Sequence, residues 1–312
     1  MDNLSFEQAL ALTEIPDNSI DELAAIANSV RSEFSAEKID LCSIINARSG
    51  KCSEDCKFCT QSAHNKTEPP VYPMKTADEI VRAAKRAQDA GAHRFCIVTS
   101  GAGLSDKDFK IALEAIAKIK KETALFRCAS LGKLTKERAQ LLKEAGLNRY
   151  HHNLETARSF FAEICTTHSY DEKIQTIKYL QEAGIEVCSG GILNLGESPT
   201  QRIELAFELK ELDPVSVPIN FLNPRPNTPL ANRKKISANE AAKYLAIFRL
   251  ILPKAYIRLA GGRAETFAGN MELPFKAGVN ALLIGDLLTT KGPQACKDIN
   301  LLKSMGFSVH SH

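Results

Sequence analysis

Forty basic residues against thirty-seven acidic ones leave this 312-residue chain at +3, too nearly balanced to argue for nucleic acid or an anionic membrane surface. A composition of 44% hydrophobic and 25% charged residues suits a folded soluble protein, and the length can bury a full core without a disulfide or metal staple. No run approaches the roughly 18 apolar residues of a membrane span. Met1-Asp2-Asn3 opens no signal peptide, and the expected compartment is a reducing cytoplasm, where nine cysteines read as metal ligands rather than a disulfide framework.

In chain order, residues 1–35 predict an N-terminal helical extension, with Ser19 and Glu22 at capping-box spacing. A first strand is expected over 39–45, then helix 76–90, strand 94–99, helix 106–123, strand 124–130, helix 135–145 and strand 149–154. The second half predicts helix 170–183, strand 186–192, helix 200–212, strand 215–221, helix 237–252 and strands 256–260 and 281–285. Thr76 with Glu79 and Ser237 with Glu240 mark two of the helix starts. The recurring joints Ala90-Gly91, Ala145-Gly146, Ala183-Gly184 and Ala277-Gly278 mark helix ends. Strand alternating with helix implies parallel βαβ units, and eight of them close into an α/β fold of the (β/α)8 TIM type. An open doubly wound sheet is the alternative, since periodicity does not report closure. With no flexible linker in view, residues 1–312 are expected to form a single domain.

Two connections are long for a barrel, and both follow strand carboxyl ends, where barrel enzymes build their sites. One runs from about Asn46 to Tyr72; the other, Leu222-Asn223-Pro224-Arg225-Pro226-Asn227-Thr228-Pro229, is stiffened by three prolines. The first carries Cys52-Ser53-Glu54-Asp55-Cys56-Lys57-Phe58-Cys59, three thiolates on one short loop. Iron–sulfur clusters normally take four cysteines, so three close ligands leave one iron of a 4Fe–4S cluster open. Structural zinc, completed by a distant cysteine or His64, is the other reading, but zinc favours two separated pairs and no second pair is obvious.

The Cys-x3-Cys-x-Phe-Cys loop after the first strand resembles the radical S-adenosylmethionine superfamily. That resemblance implies a 4Fe–4S cluster whose open iron chelates the amino and carboxylate groups of S-adenosylmethionine, which is cleaved reductively to a 5′-deoxyadenosyl radical.

Cys42, Cys96, Cys128 and Cys188 each fall inside a predicted strand. A single buried cysteine is commonly a core filler, but four at similar depth can converge in a barrel interior. Arg258, in the seventh predicted strand, would be a buried arginine in need of a carboxylate or another anionic centre. From about Leu41 to Gly306 the chain resembles the biotin synthase family. The matching segments are 50–59, His152-Asn153-Leu154-Glu155, Val187-Cys188-Ser189-Gly190-Gly191, Ser216-Val217-Pro218-Ile219-Asn220, Ile257-Arg258-Leu259 and Leu288-Thr289-Thr290. Relatives such as hydrogenase maturases or methylornithine synthase lack the barrel cysteines combined with an arginine at position 258. A zinc-stabilised barrel that only binds a ligand is the rival of a different class.

The resemblance implies sulfur insertion into dethiobiotin to give biotin, the sulfur coming from an auxiliary cluster held by Cys96, Cys128, Cys188 and Arg258. It places Asn153, Glu155 and Lys173 on S-adenosylmethionine, and Asn153, Asn220, Thr289 and Thr290 on the substrate. It also implies a flavodoxin- or ferredoxin-type electron donor, a homodimer, and no nucleic-acid or membrane partner. Two departures stand out. Glu155 replaces the family's usual aspartate, and Cys42 stands where better-known members carry a serine. A thiol there suggests an auxiliary cluster larger than the familiar 2Fe–2S form, with Cys42 as a further ligand. Cys165 and Cys296 are expected to be packing residues, and His151 and His152 to be core or supporting groups rather than ligands.

Overall fold

A computed structural model of the chain describes residues 4–286, 288 and 294–309. Two helices come first, α1 (Phe6–Leu12) and α2 (Asp21–Ser35). The alternating part begins with β1 (Asp40–Arg48), α3 (Ala77–Asp89), β2 (Arg94–Thr99), α4 (Asp106–Glu122), β3 (Phe126–Ser130), α5 (Lys136–Glu144) and β4 (Arg149–His151). It continues through α6 (Arg158–Ile164), α7 (Tyr170–Glu182), β5 (Glu186–Cys188), β6 (Gly191–Leu193), α8 (Pro199–Leu212), β7 (Ser216–Phe221) and α9 (Ala238–Ile251). The last elements are β8 (Tyr256–Leu259), α10 (Arg263–Thr266), α11 (Leu273–Lys276), β9 (Ala281–Leu283) and α12 (Ala295–Ser304).

All strand pairings are parallel, in the order β5-β4-β3-β2-β1-β9-β8-β7-β6, and Cys188 of β5 also pairs with Ser216 of β7. That pairing closes the sheet. β5 and β6 are two halves of one expected strand, so the ring is an eight-stranded (β/α)8 barrel and the open sheet is excluded. The interruption has a steric cause. A β-carbon on Gly190 would lie 2.0 Å from the Pro218 carbonyl oxygen, and one on Gly191 would lie 2.6 Å from that of Glu155. Two neighbouring backbones press on the strand at this point, which only glycine tolerates.

Local chemistry accounts for the helix ends. Thr76 and Glu79 form a reciprocal capping box. Ser237 caps α9, but the Glu240 carboxylate turns away to Arg202 at 2.7 Å. Ser19 caps nothing: it ends a 3-10 turn, and α2 starts after Ile20 instead. At the four Ala-Gly joints glycine sits in the left-handed region, at φ between 68° and 96°.

Strand alternation divides the interior in two. Phe95, Ile97, Val217, Ile219, Ile257 and Leu259 point outward into the main core under the helices. Cys42, Cys96, Cys128, Ala260 and Leu283 form a separate buried cluster inside the ring. The N-terminal helices pack on the outer helical layer, α1 against α8 and α9, and α2 against α9 and α11. Cys296 is not a packing residue; its thiol is exposed on α12.

Candidate active site

A cavity of about 500 Å³ opens among the loops at the carboxyl ends of the strands and reaches down to the cysteine cluster in the ring. Both sets of cysteines face it: Cys52, Cys56 and Cys59 from the loop after β1, and Cys42, Cys96, Cys128 and Cys188 from the strands.

The loop is held by its backbone. Cys52 N donates to Gln61 O at 2.8 Å and Ala63 N to Cys52 O at 2.8 Å, while Asn65 Nδ2 donates to Cys56 O at 3.2 Å and Cys59 O at 2.8 Å. These bonds present three thiols to one space. Burial pushes the Cys59 thiol up to about 11, and a hydrogen bond to Cys165 together with burial raises Cys56 further. Three soft sulfur donors fit iron of an iron–sulfur cluster. His64 does not join them; its Nε2 faces the Ser53 carbonyl at 3.0 Å.

In the floor, register places Cys96 directly opposite Cys128, and His151 opposite Cys188. Burial pushes Cys42 up to about 12. Cys128 is held down to about 6 by a hydrogen bond from Cys96, against burial and helped by the charges of Arg94, His151 and Arg149. At Cys188 burial is outweighed by His151, whose Nδ1 lies 3.5 Å from the sulfur, so the thiol is lowered.

Around these sulfurs three guanidiniums share one buried carboxylate. Asp40 Oδ2 lies 2.7 Å from Arg258 Nη2, 3.3 Å from Arg149 Nη1 and 3.7 Å from Arg94 Nε. Burial would raise Asp40, but Arg258, Arg94 and Arg149 hold it well below the usual carboxylate range. Arg94 is 6% exposed, and its Nε and Nη1 find no hydrogen-bond partner among the described residues. Four thiols beside buried, unsatisfied guanidinium N–H groups fit an anionic metal–sulfur centre.

Asp40, Arg94 and Arg149 were legible but missed. Each lies two residues before an inward-facing side chain, Cys42, Cys96 or His151, and strand alternation alone would have put them in the floor. The sequence did call for a partner for Arg258; the structure supplies Asp40.

The polar residues gather at the mouth. The strand expected over 149–154 is shorter than its pattern suggests, because β4 ends at His151 and Asn153 and Glu155 lie beyond it. Instead Glu155 takes a left-handed φ of 73° and pairs with Gly191, which brings its carboxylate within 3.3 Å of Asn153 Nδ2. Lys173 is buried and donates to Asn153 O at 3.1 Å. Asn220 accepts from Gly261 N at 2.8 Å and donates to Gly191 O at 3.1 Å, leaving one amide N–H free of these two bonds. His152 is buried at the cavity wall, and burial lowers the pKa of its ring well below the usual value. Thr289 and Thr290 lie outside the described residues. Cys165 was expected to be packing, yet its sulfur lies 3.7 Å from that of Cys56.

A parallel barrel with a three-cysteine loop after its first strand defines a radical S-adenosylmethionine enzyme, and residues 47–209 match the radical SAM superfamily. Residues 218–308 match the biotin and thiamin synthesis associated domain. The biotin synthase of Pelotomaculum thermopropionicum is 49% identical over 98% of this chain and 95% of its own length. That of Picosynechococcus is 48% identical over 98% and 85%. The chain belongs to the biotin synthase family. Among solved structures, methylornithine synthase superposes with a TM-score of 0.84 at 20% identity, covering 99% of this chain and 94% of that one. A maturase of the FeFe-hydrogenase gives 0.82 at 17%, covering 98% and 72%. At those identities the likeness shows the fold. No helix among the described residues is long and apolar enough to cross a membrane.

Proposed function

We propose that the chain inserts sulfur into dethiobiotin to form biotin. In this reading Cys52, Cys56 and Cys59 hold a 4Fe–4S cluster that binds S-adenosylmethionine, and Cys42, Cys96, Cys128 and Cys188, with Arg258, surround the auxiliary cluster. The observation that carries the reading is that one cavity has three thiols at its mouth and four in its floor. When bound, the first group supplies reductive cleavage of S-adenosylmethionine and the second supplies the sulfur.

The chain's own residues position the reactants. Glu155 and Asn153 present a carboxylate and an amide to the ribose and amino groups of S-adenosylmethionine. Lys173 sets a positive charge near its carboxylate, without the two-pronged geometry of an arginine. The remaining Asn220 N–H faces the ureido carbonyl of the substrate, and Thr289 and Thr290 receive its carboxylate. Ile44, Val98, Ile192 and Leu222 give the cavity apolar walls that keep water from reactive species. With Cys42 as a ligand, the auxiliary cluster is larger than a 2Fe–2S centre. The single-domain chain of residues 1–312 works in the cytoplasm as a homodimer, reduced by a flavodoxin or ferredoxin.

Anaerobic reconstitution tests this. Iron and sulfide should be incorporated in quantity, and dethiobiotin should yield biotin and accelerate formation of 5′-deoxyadenosine. Zinc in place of iron, or a cleavage rate indifferent to dethiobiotin, would overturn the reading.

A further inference from the structure

The loop after β7 is stiff where it borders the cavity. Arg225 stands between Pro224 and Pro226, and its carbonyl accepts from Thr228 N at 3.3 Å and from Thr228 Oγ1 at 2.8 Å, which closes a turn. A proline on either side removes much of the backbone freedom that an ordinary loop would lose on binding. The Arg225 side chain is partly buried and lines the cavity.

Every other lysine or arginine lining the cavity already has an acceptor. Lys133 pairs with Glu172 at 2.7 Å, Lys173 donates to Asn153 O at 3.1 Å, and the three arginines of the floor share Asp40. The Arg225 guanidinium makes no hydrogen bond or ion pair to any of the described residues. Glu265, the carboxylate of neighbouring α10, accepts from Asn223 Nδ2 at 2.7 Å instead. Between Asn220 and Arg225 stands Leu222, which packs with Ile192 and Leu230 and also lines the cavity. From the end of β7 outward, the chain therefore offers an amide, an apolar wall and an unpaired cation.

We propose that Arg225 binds the carboxylate of dethiobiotin and sets a preference for the acid over neutral analogues. This rests on the reading that the ureido ring lies at Asn220. The substrate carries the matching groups in the same order: a ureido ring, a methylene tail and a carboxylate. The threonine hydroxyls assigned to that carboxylate are neutral. A guanidinium adds the opposite charge and a planar pair of N–H donors, and its rigid loop presents them without reordering.

The test compares dethiobiotin with its primary amide, a neutral group of nearly the same shape. Binding of each is measured by isothermal titration calorimetry on anaerobically reconstituted enzyme saturated with S-adenosylmethionine, whose own affinity is measured separately. Wild type should prefer the acid by about tenfold or more. In Arg225→Ala the acid should weaken to the level of the amide, while the amide itself should hardly change. Arg225→Lys, which keeps the charge without the fork, should retain part of the preference. A full preference in Arg225→Ala, or none in wild type, would overturn the proposal. So would a loss confined to S-adenosylmethionine affinity, which would set the guanidinium on the cofactor's carboxylate. Failure of the underlying reading looks different: wild type would bind neither the acid nor the amide.

Discussion

The Asp40 carboxylate accepts from Arg258 Nη2 at 2.7 Å, while Arg258 Nη1 donates to the Asp40 and Leu282 carbonyls at 3.2 Å each. The guanidinium is thus oriented on three sides and held fully charged in the barrel floor, its pKa raised by Asp40 and by the thiols of Cys42 and Cys188 against the cost of burial. Its contribution to the neighbouring sulfurs is first of all a fixed positive charge.

Asp40→Asn should therefore be costly. It leaves Arg258, Arg149 and Arg94 around a neutral amide, and breaking a buried pair from one side costs roughly 3–5 kcal/mol. The folded-state pKa of Asp40 is depressed. Its stabilisation is therefore fully present above the unfolded carboxylate value of about 3.9 and is lost as pH falls through the lower folded value. Urea unfolding of the metal-free protein should show a gap between wild type and variant that stays constant at neutral pH and narrows only in strong acid. A gap of less than about 1 kcal/mol at pH 7 would mean that the arginines do not depend on Asp40.

Cys56→Ala removes the middle thiol of the mouth. The loop backbone stays tied through the bonds to Gln61, Asn65 and Ile164, so the fold should persist with an unchanged far-ultraviolet circular dichroism spectrum. Reductive formation of 5′-deoxyadenosine should disappear. Retained cleavage would take Cys56 out of the radical cluster.

Gly191→Ala tests the pinch between β6 and the Glu155 turn. The added β-carbon would meet the Glu155 carbonyl oxygen at 2.6 Å and Leu205 Cδ2 at 2.8 Å. Overpacking of this kind costs roughly 1–3 kcal/mol. Thermal unfolding should fall accordingly, and S-adenosylmethionine affinity should weaken because Glu155 is displaced. A destabilised variant with undiminished affinity would remove Glu155 from the cofactor site.

The order of elements was legible because helices such as α3, α7 and α9 carry their own end signals and most strands their own apolar run. The limits of the helices expected between Thr76 and Leu212 were met within about a residue, as at α3 and α7, while the short α6 was not expected. Local pattern does not report events that depend on a second segment. Gly190 and Gly191 split the fifth strand because Pro218 and Glu155 approach from other elements. Cys165 looked like packing because its neighbour Cys56 is 109 residues away in the chain. The cysteines of the site were readable one by one, whereas the arginine–aspartate floor needed the strand phase to be carried from Cys42 back to Asp40.

Cys42 carries the remaining prediction. In register it lies opposite Arg94 on one side and Leu283 on the other, and it shares a buried cluster with Cys96 and Cys128. Serine would fill nearly the same volume, so packing gives little reason for a thiol, whereas thiolate is the softer and better donor to iron. The clamp by Asp40 adds weight, since a guanidinium already bonded on three sides is a poor competitor for the same metal. Cys42→Ser should keep the mouth cluster and its 5′-deoxyadenosine production, yet lose auxiliary iron and most biotin formation. Iron counting with Mössbauer spectroscopy on the reconstituted variant separates the outcomes. If auxiliary iron and biotin yield both match wild type, Cys96, Cys128, Cys188 and Arg258 suffice, and Cys42 is a packed thiol.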